Sequence, residues 1–211
     1  MLLWVGLGNP ESSMRRHRHN VGFMAVQAIA AKYGFTPWRN RFRGEVAEGR
    51  VGGQKVLALL PMTYMNRSGE SVQEAAAFYK IAPEHITLFH DELDLAPGRL
   101  RVKRGGGAAG HNGLRSTDRM LGTPDYWRVR IGIGHPGHKD RVHGWVLGNF
   151  TDTDRQEWLD PLLDRMAGAA PFLAEGRAGQ FMTRVALPEG SKGRWDLTAV
   201  SWGCPMWASP R

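Results

Sequence analysis

The chain has 211 residues, one cysteine, 42% apolar and 23% charged residues, and a formal net charge of +8 from 28 basic and 20 acidic side chains. This composition makes an ordered globular domain with a real core. It excludes a disulfide scaffold, a CxxC metal or redox motif, and, with no apolar run near the ~20 residues needed to cross a bilayer, a membrane span. The basic excess, with a pI of about 10.1, favours a polyanionic partner, either nucleic acid or an anionic membrane surface, over a basic surface that serves solubility alone. The N-terminus carries no basic segment ahead of an apolar stretch long enough for export, so a cytoplasmic protein is expected.

In chain order, Leu2–Leu7 is a short apolar run that predicts a buried strand, ended by turn chemistry at Gly6-Leu7-Gly8-Asn9-Pro10. A basic loop follows through Arg15, Arg16, His17, Arg18 and His19. From Asn20 the apolar spacing of Val21, Met24, Ala28 and Ile29 predicts a helix, with Gly34 as its stop. Val51-Gly52-Gly53-Gln54 predicts a hairpin turn between Glu45–Val51 and Lys55–Leu60. Asn66 or Ser68 is expected to cap a second helix, whose Val72, Ala75, Ala76 and Tyr79 share one face.

Ile86–Phe89 predicts a strand that delivers His90-Asp91-Glu92 to its end. Arg99–Arg104 predicts a strand with one basic face, and Gly105–Gly110 a flexible loop. His111–Leu121 predicts a helix. Trp127–Ile133 predicts a strand with Arg128 and Arg130 on one face. Arg141–Leu147 is ambiguous between strand and helix. Thr151 to about Gly176 reads as mostly helical, with Pro161 forcing a kink or a restart.

This alternation predicts an α/β fold: a single domain over residues 1–187, with a mixed central β-sheet flanked by helices on both faces. After Pro188 the composition shifts to three aperiodic tryptophans among Gly, Ser and Pro, so residues 188–211 are expected to be a tail outside the core.

Several familiar motifs fail on inspection. Gly6-Leu7-Gly8 opens like a dinucleotide-binding turn, but Glu11 stands where its third glycine is needed. Gly105–Gly110 has the glycine spacing of a phosphate loop without its lysine. His90-Asp91-Glu92 alternates faces along a strand, so it makes a metal site only with distant partners.

What remains is a set of polar groups at strand mouths and helix starts: Asn9, His19-Asn20, Asn66, Asp91 and His111-Asn112. Ligands bind outside the carboxyl ends of strands in α/β sheets, so these groups are expected to converge there.

Six blocks, from about Leu3 to about Ala186, resemble bacterial-type peptidyl-tRNA hydrolases. They are Val5-Gly6-Leu7-Gly8-Asn9-Pro10, Arg18-His19-Asn20-Val21-Gly22, Pro61 through Gly69, His90 through Leu95, Gly110-His111-Asn112-Gly113-Leu114, and Arg130 through Gly137. The resemblance implies a monomer that hydrolyses the ester between a peptide and the 3′ ribose of tRNA, with no metal and no organic cofactor. It implies His19 as general base, Asp91 as its orienting carboxylate and Asn112 as the oxyanion or water-positioning donor. Asn9 and Asn66 would grip substrate, Met65 and Tyr64 would wall the peptide cleft, and His111 would shape its rim. Lys103 and Arg130 match a clamp for the tRNA 5′ phosphate. Asn20 is expected to bond inside the fold.

Glu11, Met14 and His17 depart from the Gly, Tyr and Thr that the family often shows there. Two further classes stay open at this point: an RNA-binding module that lacks the reaction, and a hydrolase acting on another acylated substrate.

Overall fold

The computed structural model of the protein describes residues 1–186. A seven-stranded sheet is built from β1 (Leu2–Gly6), β2 (Arg39–Arg41), β3 (Gly44–Val51), β4 (Gln54–Pro61), β5 (Ile86–Glu92), β6 (Leu100–Arg104) and β7 (Trp127–Gly132). Its strand order is β2-β3-β4-β1-β5-β7-β6. The four central strands β4, β1, β5 and β7 run parallel, whereas β2–β3, β3–β4 and β7–β6 pair antiparallel. A parallel strand covered on both faces can afford no exposed side chain, and all seven residues of β5 are buried. The hairpin turn falls where expected, with Val51 opposite Gln54 and positive φ at Gly52 (54°) and Gly53 (77°).

Helices cover both faces. They are α1 (Val21–Lys32), α2 (Ser68–Tyr79), α3 (Asn112–Leu121), α4 (Val142–Val146), α5 (Asp152–Asp154), α6 (Asp160–Ala174) and α7 (Ala178–Ala186). The period-2 alternation of β1 sorts the core into two clusters. Trp4 points to one layer, with Val26 and Ile29 of α1, Leu162 and Met166 of α6 and Phe181 of α7. Leu3 and Val5 point to the other, with Val72 and Ala75 of α2 and Leu114 of α3. The ambiguous Arg141–Leu147 stretch contains the short helix α4. The tail expected at 188–211 lies outside the described residues.

Pro161 acts as anticipated. A π-helical turn, Arg155–Leu159, precedes it, and Pro161 sits in the first turn of α6, where its missing N–H costs least. Thr151 starts this whole segment with a reciprocal capping box to Asp154. The start of α2 differs from expectation, because neither Asn66 nor Ser68 caps it. A 3₁₀ turn, Met65–Arg67, runs directly into the helix, and the Ser68 hydroxyl donates back to the Met65 carbonyl at 2.9 Å. Asn66 is therefore left exposed.

The site-forming feature of the fold is a backbone contact. A Cβ built on Gly22 would press into the Phe89 carbonyl and come within 2.6 Å of the Leu7 nitrogen. Only a glycine lets α1 start this close to the ends of β1 and β5, and this seats the preceding His19 and Asn20 over the strand mouths. Gly22→Ala is expected to destabilise the protein by about 1–3 kcal/mol or more. That corresponds to a melting temperature lowered by about 3–10 °C, and an unchanged melting curve would show that the contact is looser than described.

Candidate active site

The site begins with two asparagines that lock one another. Asn20 Oδ1 accepts from the Asn9 backbone N–H, and Asn20 Nδ2 donates to the Asn9 carbonyl, both at 2.9 Å. Asn20 is thus structural, as expected. The Asn9 side chain is fixed separately: its Oδ1 accepts from the Met65 N–H at 2.9 Å. With its oxygen committed, the amide NH₂ is the end of Asn9 left for the cleft that the residue lines.

Asp91 is the centre of the site. Its carboxylate lies on the His19 Nδ1 at 2.9 and 3.0 Å and on the His111 Nε2 at 2.9 Å. The tautomers follow from the remaining contacts. His111 caps α3, its Nδ1 accepting from the Gly113 N–H at 3.1 Å and the Leu114 N–H at 3.4 Å. Its ring proton is therefore on Nε2, donated to Asp91. His19 likewise donates from Nδ1, which leaves its Nε2 without a partner among the described residues and available to the cleft.

The electrostatics follow. Burial opposes the Asp91 charge, but the charges and hydrogen bonds of His19 and His111 outweigh it and hold the carboxyl well below the usual range. Burial also disfavours a charged His19, yet the Asp91 charge and its hydrogen bond raise this imidazole above its ordinary value. His90 is pushed down to about 3 by burial and by the neighbouring His111, and its Nδ1 donates to the Asp91 carbonyl at 2.8 Å. His19, Asp91 and His111 bring their ligand-type atoms within 4.8 Å of one another, the one such group among the described residues. Both imidazole N–H groups there are already spent on the carboxylate, so the arrangement is a hydrogen-bonded chain.

A cleft of about 810 Å³ opens over this chain. Met65 is buried in its wall, whereas Asn66 and Asn112 are exposed on it and have no side-chain hydrogen bond among the described residues. Tyr64 stands 57% exposed at the rim, and its hydroxyl donates to Glu11 at 3.0 Å. Ala108, Ala109 and Gly110 of the glycine loop form another side. All the cleft residues named from the sequence, His111 included, are thus brought together.

The basic face is split. On the side of the sheet that carries α3, Arg101 lies opposite Arg130 and Lys103 opposite Arg128. Leu100 and Val102 turn the other way into the core that includes α7. Arg101 is exposed and Lys103 half-buried. Arg130 is half-buried beside Glu92, with its Nε donating to Glu92 Oε2 at 2.8 Å. Arg128, which shares a strand face with Arg130 as expected, is not available as a surface charge: it is completely buried. It donates to the Gly107 carbonyl at 2.8 Å and to Asp118 at 3.2 Å, and it lies over the Tyr126 ring. Its charge tethers the glycine loop to α3 and offers nothing to solvent.

With this geometry in place, comparison with known proteins is direct. The model of the family described as peptidyl-tRNA hydrolase matches residues 3–193. A peptidyl-tRNA hydrolase of Granulibacter bethesdensis is 71% identical over 187 residues, covering 89% of this chain and 96% of the relative. One of Acidiphilium cryptum is 65% identical over the same length, covering 89% and 97%. The crystal structure of the peptidyl-tRNA hydrolase from Acinetobacter baumannii superposes with a TM-score of 0.82 at 46% identity, covering 89% of this chain and 95% of that one. The chain belongs to the peptidyl-tRNA hydrolase family.

The three departures from the family pattern now have locations. Glu11 accepts from Tyr64, Met14 lines the cleft, and His17 pairs with Asn149 in an isolated bridge. That bridge exposes what sequence reasoning missed, the wall formed by Lys139, His143 and the apolar residues of α4. The wall is fastened to the loop carrying His19. The Arg18 N–H donates to the Gly148 carbonyl at 2.9 Å, and the Arg18 guanidinium stacks on Trp145 at 3.9 Å and bonds Asp154 at 3.3 Å. No local period marks such a contact, since its partners are about 130 positions apart.

Arg128→Met is expected to cost about 2–3 kcal/mol, below the usual cost of breaking a fully buried pair because Asp118 is partly exposed and also accepts from the Tyr126 hydroxyl. Denaturant unfolding measures it. Wild-type stability would mean that this guanidinium is solvated.

Proposed function

We propose that the chain cleaves the ester joining a peptide to the 3′ ribose of tRNA, releasing free peptide and free tRNA. The observation that carries this reading is the His19 ring, held through Nδ1 by Asp91 with Nε2 presented to the cleft. In the neutral state Nε2 takes a proton from water as that water attacks the acyl carbonyl. Asp91 stabilises the imidazolium that forms. The proton then passes to the departing ribose oxygen. A ribose ester is reactive enough to need no covalent intermediate, so no step calls on a metal or an organic cofactor.

Amide groups surround the reacting carbonyl. Asn112 opens α3, and the Gly113 and Leu114 N–H groups of that helix start are taken by His111. The Asn112 N–H and side-chain amide therefore remain for the oxyanion, at the helix end where the dipole favours negative charge. Asn9 donates its NH₂, and Asn66 grips the substrate from the rim. Met65 and Tyr64 wall the peptide path. A site that hydrogen-bonds the first peptide group rejects aminoacyl-tRNA, whose free amine would leave these polar groups unpaired. Lys103 and Arg130 hold the tRNA 5′ phosphate, in contacts that are independent of base sequence and weakened by salt. The enzyme is read as a cytoplasmic monomer; among the described residues no helix is long and apolar enough to cross a membrane.

The test is release of the acyl group from an N-blocked aminoacyl-tRNA, with the unblocked form as comparison. Wild type is expected to release the blocked group only, and His19→Ala to lose roughly 10²–10⁴ in kcat while still binding tRNA. Tight binding without release by the wild type would make the protein an RNA-binding module instead.

A second measurement concerns pH. The reaction needs an unprotonated His19, so kcat/KM rises with pH through the His19 pKa, which Asp91 holds above the ordinary value. Asp91→Asn removes the charge that raises it and leaves the burial that lowers it. The acid limb is expected to move to lower pH while kcat falls by about 10²–10⁴. An acid limb that stays in place would show that His19 is not the titrating base.

A further inference from the structure

We infer that Glu92 is the positioning residue of the 5′-phosphate contact, aiming Arg130 from the same strand end that carries the catalytic carboxylate. The inference rests on the reading of Arg130 as a phosphate ligand and adds to it a residue that has no part in the ester chemistry.

Glu92 closes β5 and is 7% exposed, on the face opposite to that of Asp91. Each of its oxygens has a partner. Oε1 accepts from the Asp94 N–H of the following turn at 3.2 Å, and Oε2 accepts from Arg130 Nε at 2.8 Å. The contact to arginine is made through Nε, so both Nη groups of the guanidinium remain without a partner among the described residues. This pair of parallel donors is the edge that binds two oxygens of a phosphate.

The need for such a brace is visible in the register. Arg130 lies between His90 on one neighbouring strand and Arg101 on the other. Like charges directly opposite across a strand pair repel. Glu92 is the one carboxylate paired with Arg130 among the described residues, and without it repulsion from Arg101 turns the guanidinium toward solvent, where a flexible side chain must be ordered anew for each phosphate bound. With Glu92, the ordering is done in the fold. Glu92 also lines the catalytic cleft, so the brace and the ester site share one rigid element.

The experiment compares kcat and KM on an N-blocked aminoacyl-tRNA with its 5′ phosphate and on the same tRNA after enzymatic removal of that phosphate. Variants are Glu92→Ala, the near-isosteric Glu92→Gln, Arg130→Ala and the Glu92→Ala, Arg130→Ala double. Wild type is expected to prefer the phosphorylated substrate. Glu92→Ala is expected to lower that preference by roughly three- to tenfold, through KM more than kcat, with Glu92→Gln between it and wild type. In the Arg130→Ala background the Glu92 change is expected to remove no further preference, because both act through one contact. If Arg130→Ala abolishes the preference and both Glu92 variants keep it in full, this inference is overturned and the phosphate reading of Arg130 stands. If Arg130→Ala keeps it, both fall. Equal losses on the two substrates would mark Glu92 as structural only and overturn the inference as well. Should Glu92→Ala fold poorly, Glu92→Gln decides alone, by the same ratio.

Discussion

A carboxylate buried at the end of a parallel strand must be paid for with donors, and Asp91 receives one from each helical layer of the molecule. His19 precedes α1 on one face of the sheet, and His111 precedes α3 on the other. Taking a carboxylate out of water costs several kcal/mol, and charge-assisted hydrogen bonds from the two imidazoles offset it at about 1.5–3 kcal/mol each. The same bonds fix both ring tautomers. His111 is committed on both nitrogens, to Asp91 and to the α3 backbone, whereas His19 keeps one nitrogen free. Two chemically identical rings on one carboxylate thereby differ: one is bonded through both nitrogens and the other presents a nitrogen to the cleft, the basis of the general-base role proposed for His19.

This division explains why the surroundings are built so rigidly. The close seat of Gly22 against Phe89 and Leu7 fixes where His19 can stand, and the Asn9–Asn20 amide pair fixes the loop just ahead of it. Arg18 fastens the same loop to the α4 wall. Arg128 does the corresponding work on the other side, holding the glycine loop to α3. Each acts on a group flanking the cleft. General-base catalysis by an imidazole depends on geometry before it depends on pKa, and under the role proposed for His19 these contacts set that geometry.

The central strands, the hairpin at Gly52-Gly53, the helix after Asn20 and the break at Pro161 were legible because each is dictated locally, by apolar runs, by glycine at positive φ or by a missing N–H. The convergence of Asn9, His19, Asp91, Asn66 and Asn112 was legible from the position of each at a strand mouth or helix start. Three things were not. The capping of α2 was misjudged because a 3₁₀ turn can lead into a helix without a side-chain cap. The burial of Arg128 was hidden because alternation gives the face of a residue but not what covers that face. The bond from His111 to Asp91 went unforeseen, because nothing in a local pattern shows that a capping ring can reach back to a carboxylate 20 positions earlier.

The end of β5 brings these strands of argument together. His90, Asp91 and Glu92 are consecutive, buried and chemically distinct, and strand alternation already argued against their sharing one metal ion. The pleat separates them. His90, kept neutral by its surroundings, braces the Asp91 carbonyl. Asp91 turns to the imidazoles, and Glu92 turns to Arg130 on the α3 face. A strand rises about 3.3 Å per residue and alternates its faces, so two adjacent carboxylates can serve two different parts of one large substrate without sharing a proton or a ligand. Under the proposed reading, a substrate whose reactive ester and terminal phosphate belong to one rigid acceptor end gains from having both contacts set by a single element, because a shift of that element moves them together and preserves their separation.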